Sequence, residues 1–135
     1  MGTWGGFPLL PLAISHPDLP CTGIDARRKK TLAVQSIAEQ LWLNNVSTIR
    51  SRAEQMTTKY DYVTARAVWY ADRILPRAHR ITRHGGYIIL YKLFTPEEED
   101  DLFTLAHGLQ LQTHLINPYK LPDDDTQRVI YIFSK

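Results

Sequence analysis

The sequence predicts an α/β fold built on a mostly parallel sheet, and three observations predict it. Apolar segments of strand length alternate with helix-length segments along most of the 135 residues, which implies right-handed strand–helix–strand crossovers. A glycine-rich segment, Gly2-Thr3-Trp4-Gly5-Gly6-Phe7-Pro8, stands directly ahead of a short apolar stretch, the setting in which backbone N–H groups approach an anionic or nucleoside ligand. The last two apolar segments are adjacent strands with no helix between them, which suggests an antiparallel edge.

Taken in order, Pro8 to Ser15 reads as a first helix leaving the glycine loop, and Leu19 to Asp25 as a buried strand ending in an acid. Arg27 to Leu43 sets Leu32, Ile37, Ala38 and Leu41 at intervals that keep one apolar face, which predicts a helix stopped by Asn44-Asn45. Val46 to Arg50 is short and β-branched, Arg52 to Met56 a brief helical turn, and Tyr60 to Ala65 the next strand. Ala67 to Ile81 reads as a helix that Pro76 should end or kink. His84-Gly85-Gly86 reads as a turn feeding the strand Tyr87 to Tyr91. Thr95-Pro96-Glu97-Glu98 resembles a capping box with proline at the first helical position, so the acidic run through Asp101 falls in the first turn of a helix ending near Gly108. Leu109 to Ile116 and Arg128 to Phe133 are the closing strands, and the span between them, with Pro118, Pro122 and three aspartates, reads as a loop. No internal repeat or domain boundary is visible, so residues 1–135 read as one domain.

Composition narrows the function classes. Sixteen basic against fourteen acidic residues give a formal charge of only +2, so net charge does not by itself argue for nucleic acid. The single cysteine, Cys21, cannot form an intramolecular disulfide and reads as a small buried hydrophobe, and the five histidines lack zinc-ligand spacing. No metal is expected. No apolar run reaches the roughly 18 to 20 residues that span a bilayer, and the apolar start at Leu9 has no basic segment before it. The expected location is the cytoplasm, with no membrane contact.

The glycine loop does not match the G-x-G-x-x-G dinucleotide fingerprint, and no lysine follows it as a phosphate-binding loop requires. Asp25, however, ends the next strand at about the place where an acid meets a ribose hydroxyl in doubly wound folds. An ordinary loop followed by an aspartate that caps the next helix is the alternative. Arg27-Arg28-Lys29-Lys30 occupies a helix first turn, where the dipole disfavours each cation by roughly 0.3 to 1 kcal/mol. These cations are therefore either a solvated run or contacts to nucleic-acid phosphates. Arg52, Arg66 and Lys92 follow later strands, and a parallel sheet would collect them at the same edge as Asp25.

These residues carry a resemblance. The order Gly2-Thr3-x-Gly5-Gly6-Phe7-Pro8 and Pro11-Leu12-Ala13-Ile14, then Asp25-x-x-x-Lys29-Lys30, Ser51-Arg52-Ala53-Glu54, Ala65-Arg66-Ala67 and Leu90-Tyr91-Lys92 resembles the RsmG (GidB) family. Its members are bacterial methyltransferases that modify N7 of a guanine in 16S ribosomal RNA. The resemblance implies a Rossmann-like class I fold dependent on S-adenosyl-L-methionine, and a monomer whose partner is small-subunit ribosomal RNA. Gly2, Gly5, Gly6 and Phe7 would line the cofactor loop. Asp25 would accept hydrogen bonds from the ribose, Ala53 and Glu54 would contact adenosine, and Arg66 would position the target guanine beside the cofactor. Lys29, Lys30, Arg52 and Lys92 match basic positions of an RNA-facing rim.

Trp4 stands where the family's loop has a glycine, Leu9 where a glycine follows the proline, Lys30 where arginine is usual, and Leu93 where a glycine follows the lysine. The family also carries a helical segment and a central first strand ahead of the glycine loop. The expectation is thus a methyltransferase core over residues 1–135, missing that strand and segment at its N-terminus. Its alternatives are an inactive fragment, a remnant that binds RNA or another partner, and a methyltransferase for a non-RNA substrate.

Overall fold

The computed structural model describes residues 2, 4–66 and 70–135. The side chains of Trp4 and Leu115 lie outside it, as does the stretch from Ala67 where the third helix was expected to begin. In chain order the elements are α1 (Leu9–Ser15), β1 (Cys21–Asp25), α2 (Arg28–Gln40), β2 (Val46–Arg50), β3 (Tyr60–Arg66), α3 (Ala71–Ile81), β4 (Thr82–Leu93), α4 (Pro96–Gly108), β5 (Gln112–Leu121) and β6 (Asp124–Ser134). Single 3-10 turns lie at Trp4–Gly6 and Ala53–Gln55. The chain falls into two compact units, Met1–Met56 and Thr57–Lys135.

In the first unit β1 and β2 run parallel, in register from Cys21 beside Val46 to Asp25 beside Arg50. Leu10 and Ala13 of α1, Val34 and Ala38 of α2 and Val46 form the core, with Leu9, Cys21 and Leu43 packed against it. Asn45 does more than stop a helix. Its side-chain amide donates to the carbonyls of Ala13, His16 and Leu19 at 3.1, 3.0 and 3.0 Å, tying the end of α1 and the entry to β1 onto the loop before β2.

The buried face of α2 differs from the one the apolar spacing suggested. Thr31, Val34 and Ala38 are buried, whereas Leu32 and Leu41 are about half exposed and Ile37 is also exposed. Small side chains let the helix lie close to the strands. Thr31 tolerates burial because its hydroxyl donates to the Arg28 carbonyl at 2.9 Å, so no polar atom is left unpaired there.

The second unit is a four-stranded sheet in the order β3-β4-β6-β5. β3 and β4 are parallel, while β6 pairs antiparallel with both β4 and β5. One face is apolar and buried: Val63 and Ala65 of β3, Ile88 and Leu90 of β4, and Val129, Tyr131 and Phe133 of β6. The alternation follows from the two-residue period of a strand. α4 lies over this face, with the rings of Phe103 and Tyr131 edge to face at 5.9 Å and the Tyr131 hydroxyl donating to Glu99 Oε2 at 2.7 Å. α3 packs beside α4.

Three expectations change here. α3 runs through Pro76 instead of ending at it, because its buried stripe, Ala71, Ile74, Leu75, Ala78 and Ile81, spans both sides of the proline and outweighs a cost of about 3 kcal/mol. β4 starts at Thr82, directly after α3, so His84-Gly85-Gly86 is an irregular stretch within a strand, with Gly85 at φ 78°. The span read as a closing loop is mostly hairpin, with β5 reaching Leu121, β6 starting at Asp124, and Pro118 accommodated on the edge strand. The N-cap half of the capping box forms, with Thr95 accepting the Glu98 backbone N–H at 3.3 Å, while the Glu98 carboxylate pairs with Lys92.

Candidate functional site

The parallel pair β1–β2 sets Asp25 and Arg50 side by side at its carboxyl end, where open α/β sheets take their ligands. Ser51 prolongs the ladder by donating its N–H to the Asp25 carbonyl at 3.1 Å. Beyond it lies a cleft of about 290 Å³ lined by Ala26, Arg50, Ser51, Arg52 and Gln55. Gln55 belongs to the 3-10 turn Ala53–Gln55, held by hydrogen bonds from Gln55 N–H to the Arg52 carbonyl and from Met56 N–H to the Ala53 carbonyl. Ala53 and Met56 are buried, which fixes Glu54 between them in a half-buried position.

Asp25 Oδ1 accepts the Arg27 backbone N–H at 2.9 Å. This closes a turn ahead of α2 instead of capping the helix, whose N-cap is Arg27, and it orients the carboxylate beside the cleft. Arg50 and Arg52 are exposed, and among the described residues neither forms an ion pair. α2 has no acidic residue in its first turn; Arg27 is its N-cap without a side-chain hydrogen bond, Lys29 is exposed and Lys30 half-buried.

The glycine loop reaches this edge through Gly2, whose N–H donates to the Ile24 carbonyl at 2.9 Å. Gly5 and Gly6 both take positive φ, 70° and 94°, but for different surroundings. A Cβ on Gly5 would meet nothing within 4 Å, so this side of the loop is open, whereas one on Gly6 would run into the Leu10 side chain. Gly6 thus serves the packing of α1, and Gly5 leaves space. Phe7 is half exposed.

Arg66 and Lys92 belong to the second unit. Arg66 ends β3, in register with Tyr91, and is exposed. Lys92 is not a solvated cation: its side chain is only 9% exposed and forms an ion pair with Glu98 at the start of α4. Sequence reasoning passed over Arg50 and Gln55. The register of a five-residue parallel pair was the available signal, since the residue ending β2 must stand opposite the one ending β1. Among the described residues no cluster of histidine, cysteine or carboxylate could hold a metal ion, and no helix is long and apolar enough to cross a membrane.

The sequence profile of the rRNA small subunit methyltransferase G family matches residues 1–118. The chain is 35% identical to the ribosomal RNA small subunit methyltransferase G of Deinococcus radiodurans, with all of this chain and 56% of that protein aligned. The protein of the same name from Leuconostoc citreum is 33% identical, over all of this chain and 59% of its own length. The chain thus spans less than two thirds of these relatives. Among solved structures, a SAM-dependent methyltransferase from Methanosarcina mazei superposes with a TM-score of 0.79 at 16% identity, over 99% of this chain and 89% of that one. Another from Aquifex aeolicus gives 0.77 at 14%, over 99% and 79%. The fold is therefore the Rossmann-like one of class I methyltransferases, with the parallel pairs β1–β2 and β3–β4 and an antiparallel closing pair joined to β4 through β6. With that fold, the match across residues 1–118 and relatives above 30% identity along its whole length, the chain belongs to the rRNA small subunit methyltransferase G (GidB) family.

Proposed function

We propose that this chain acts in methyl transfer from S-adenosyl-L-methionine to N7 of a guanine in small-subunit ribosomal RNA, as a cytoplasmic monomer. The observation that carries the proposal is the carboxyl end of β1: Asp25 stands in register with Arg50, which lines a cleft together with Ala26, Ser51, Arg52 and Gln55, and the open side of Gly5 lies in the same unit. The residues fit a nucleoside cofactor. A ribose diol needs a carboxylate acceptor, which Asp25 supplies; a planar base needs a cleft with polar edges; and a close approach of backbone needs a glycine such as Gly5 with nothing beside it.

The cofactor supplies an electrophilic methyl group on a sulfonium sulfur. Guanine N7 carries its own lone pair, so no residue has to remove a proton before it attacks. What is asked of the chain is orientation, which can supply several kcal/mol when the reacting atoms are held in line. Arg66 is proposed as the positioning residue, donating to guanine O6 while leaving N7 to react, since a cation bound tightly at N7 itself would block it. Lys29, Lys30 and Arg52 are proposed to meet backbone phosphates. Lys92, paired to Glu98, is proposed to hold the end of β4 to the start of α4.

Calorimetry with S-adenosyl-L-methionine is the first test, and absence of binding at millimolar cofactor would refute the proposal. Methyl transfer to ribosomal RNA, read as strand scission at N7-methylguanine, tests the second half. Cofactor binding without transfer would favour the reading of a family member that binds RNA or a partner without turnover.

A further inference from the structure

Two arginines line the cleft of the first unit, and neither is spoken for. Arg50 ends β2, and Arg52 leads into the 3-10 turn from extended backbone at φ −86° and ψ 144°. Only Ser51 separates them, and both open on the same cleft of about 290 Å³. Both are exposed, and among the described residues neither guanidinium forms a hydrogen bond or an ion pair. Like charges on one concave wall repel, and the concavity concentrates their field outward.

The rest of the lining adds a donor and no acid. The Gln55 amide is exposed and makes no hydrogen bond among the described residues, whereas the Ser51 hydroxyl is spent on the Arg52 carbonyl at 3.2 Å. The carboxylates closest in register and in sequence are not in the lining. Asp25 Oδ1 accepts the Arg27 N–H, and Glu54 is half-buried between Ala53 and Met56. A guanidinium is a planar fork of donors that fits an oxyanion bidentately, and two forks hold one tetrahedral phosphate from two sides.

Two further features choose the anion. S-adenosyl-L-methionine carries a sulfonium cation, so a pair of unpaired cations in its cleft does not serve its binding; both heads are exposed, which leaves them to a second ligand arriving from solvent. Arg27, Arg28 and Lys29 follow Ala26 of the lining, are exposed, and form no ion pair among the described residues. One small anion has no use for these neighbours, and a polyanion passing the cleft meets them in turn.

We propose that Arg50 and Arg52 form a clamp for a single phosphate of the RNA backbone, with the Gln55 amide as a further donor. Arg50 thereby converts a rim contact into a discrete subsite. The choice of RNA rests on the function proposed above; the oxyanion chemistry does not, and the cofactor's own carboxylate is the competing source of it.

The test is filter binding of a 16S ribosomal RNA transcript to the full chain, Arg50→Gln, Arg52→Gln and the double variant across a salt series. Each single variant should bind about tenfold more weakly. Two arginines sharing one phosphate are coupled, so the double variant should fall well short of the loss of about a hundredfold that independent contacts give, and its logarithmic salt slope should be shallower by about one. Arg50→Lys should keep the slope and lose affinity, because it keeps the charge without the fork. Thermal unfolding should be alike in all. Additive losses, no loss with Arg50→Gln, or no RNA binding at low salt overturns the clamp. Calorimetry with S-adenosyl-L-methionine on the same samples identifies the anion: cofactor affinity should not fall in Arg50→Gln, and a tenfold fall would give the guanidinium to the cofactor's carboxylate and overturn the proposal. A parent chain that takes no cofactor while the coupled loss of RNA affinity persists refutes the function proposed above and leaves the clamp standing.

Discussion

The Asp25 carboxylate is held by the backbone N–H of Arg27, 2.9 Å from Oδ1, so the acid that ends β1 also shapes the turn that leads into α2. Asp25→Asn keeps an acceptor for Arg27 and removes the charge. Calorimetry should find cofactor affinity down tenfold or more with thermal unfolding unchanged. Asp25→Ala should lose the affinity and also about 1 kcal/mol of stability, the worth of the lost hydrogen bond from Arg27. An Asp25→Asn variant that binds cofactor like its parent would reduce Asp25 to its structural role.

The two loop glycines should separate in the same way. Gly5→Ala meets no neighbour and should cost only the positive φ, about 1 to 2 kcal/mol. Gly6→Ala adds a collision with Leu10 and should cost about 1 to 3 kcal/mol more. Urea unfolding reads both. Leu10→Ala in the Gly6→Ala background should relieve that excess, and a cycle showing no coupling between the two positions would contradict the packing described.

Lys29 and Lys92 are predicted to behave oppositely. Lys29→Glu places an acid in a first turn that has none, so stability should rise by about 0.3 to 1 kcal/mol, while RNA affinity and its salt dependence fall. Lys92→Met strands the half-buried Glu98 carboxylate and should cost about 3 kcal/mol in stability, with the salt dependence of RNA binding unchanged. Filter binding across a salt series, beside chemical unfolding, decides both.

Burial, and then the hydrogen bond to Glu99, push the Tyr131 phenol well above its usual 10. A raised folded-state value means that the stabilisation is complete below pH 10 and is lost as pH rises beyond it. In an ultraviolet titration Tyr131 should stay protonated until the chain unfolds at alkaline pH. Tyr131→Phe should flatten that alkaline loss and cost about 1 kcal/mol at neutral pH.

The elements were largely legible because their punctuation is local. Thr95-Pro96 announces α4, Asn44-Asn45 ends the region of α2, and the β-branched run Val46 to Arg50 is a strand in sequence and in structure. What was not legible depends on partners. Leu32, Ile37 and Leu41 have helical spacing, yet α2 buries Thr31, Val34 and Ala38, because the strands beneath it admit small residues and periodicity alone does not say which face they take. Pro76 reads as a breaker until the buried stripe on both sides of it is counted. At the site, the order of strands sets Arg52 with Asp25, while Ala53 and Glu54 enter only through the resemblance to the family. The cleft beside them needed the register that sets Arg50 opposite Asp25, and the pairing of Lys92 needed the first turn of α4 to be laid over the end of β4.

The hairpin β5–β6 closes through Pro122 and Asp123, with Asp123 at φ 60°, yet β6 does not stay at the margin. It follows every other strand in the chain and lies between β4 and β5. During vectorial synthesis β3, α3 and β4 leave the ribosome with the inner edge of β4 still unpaired. The hairpin is local and forms in microseconds, but it cannot form before β6 itself emerges. Until then β4, with its apolar run Tyr87 to Tyr91, is an open edge of the kind that pairs with other chains. The second unit thus completes its sheet only when its final strand inserts into the middle, and nascent-chain lengths ending before Asp124 should be the ones that need a chaperone.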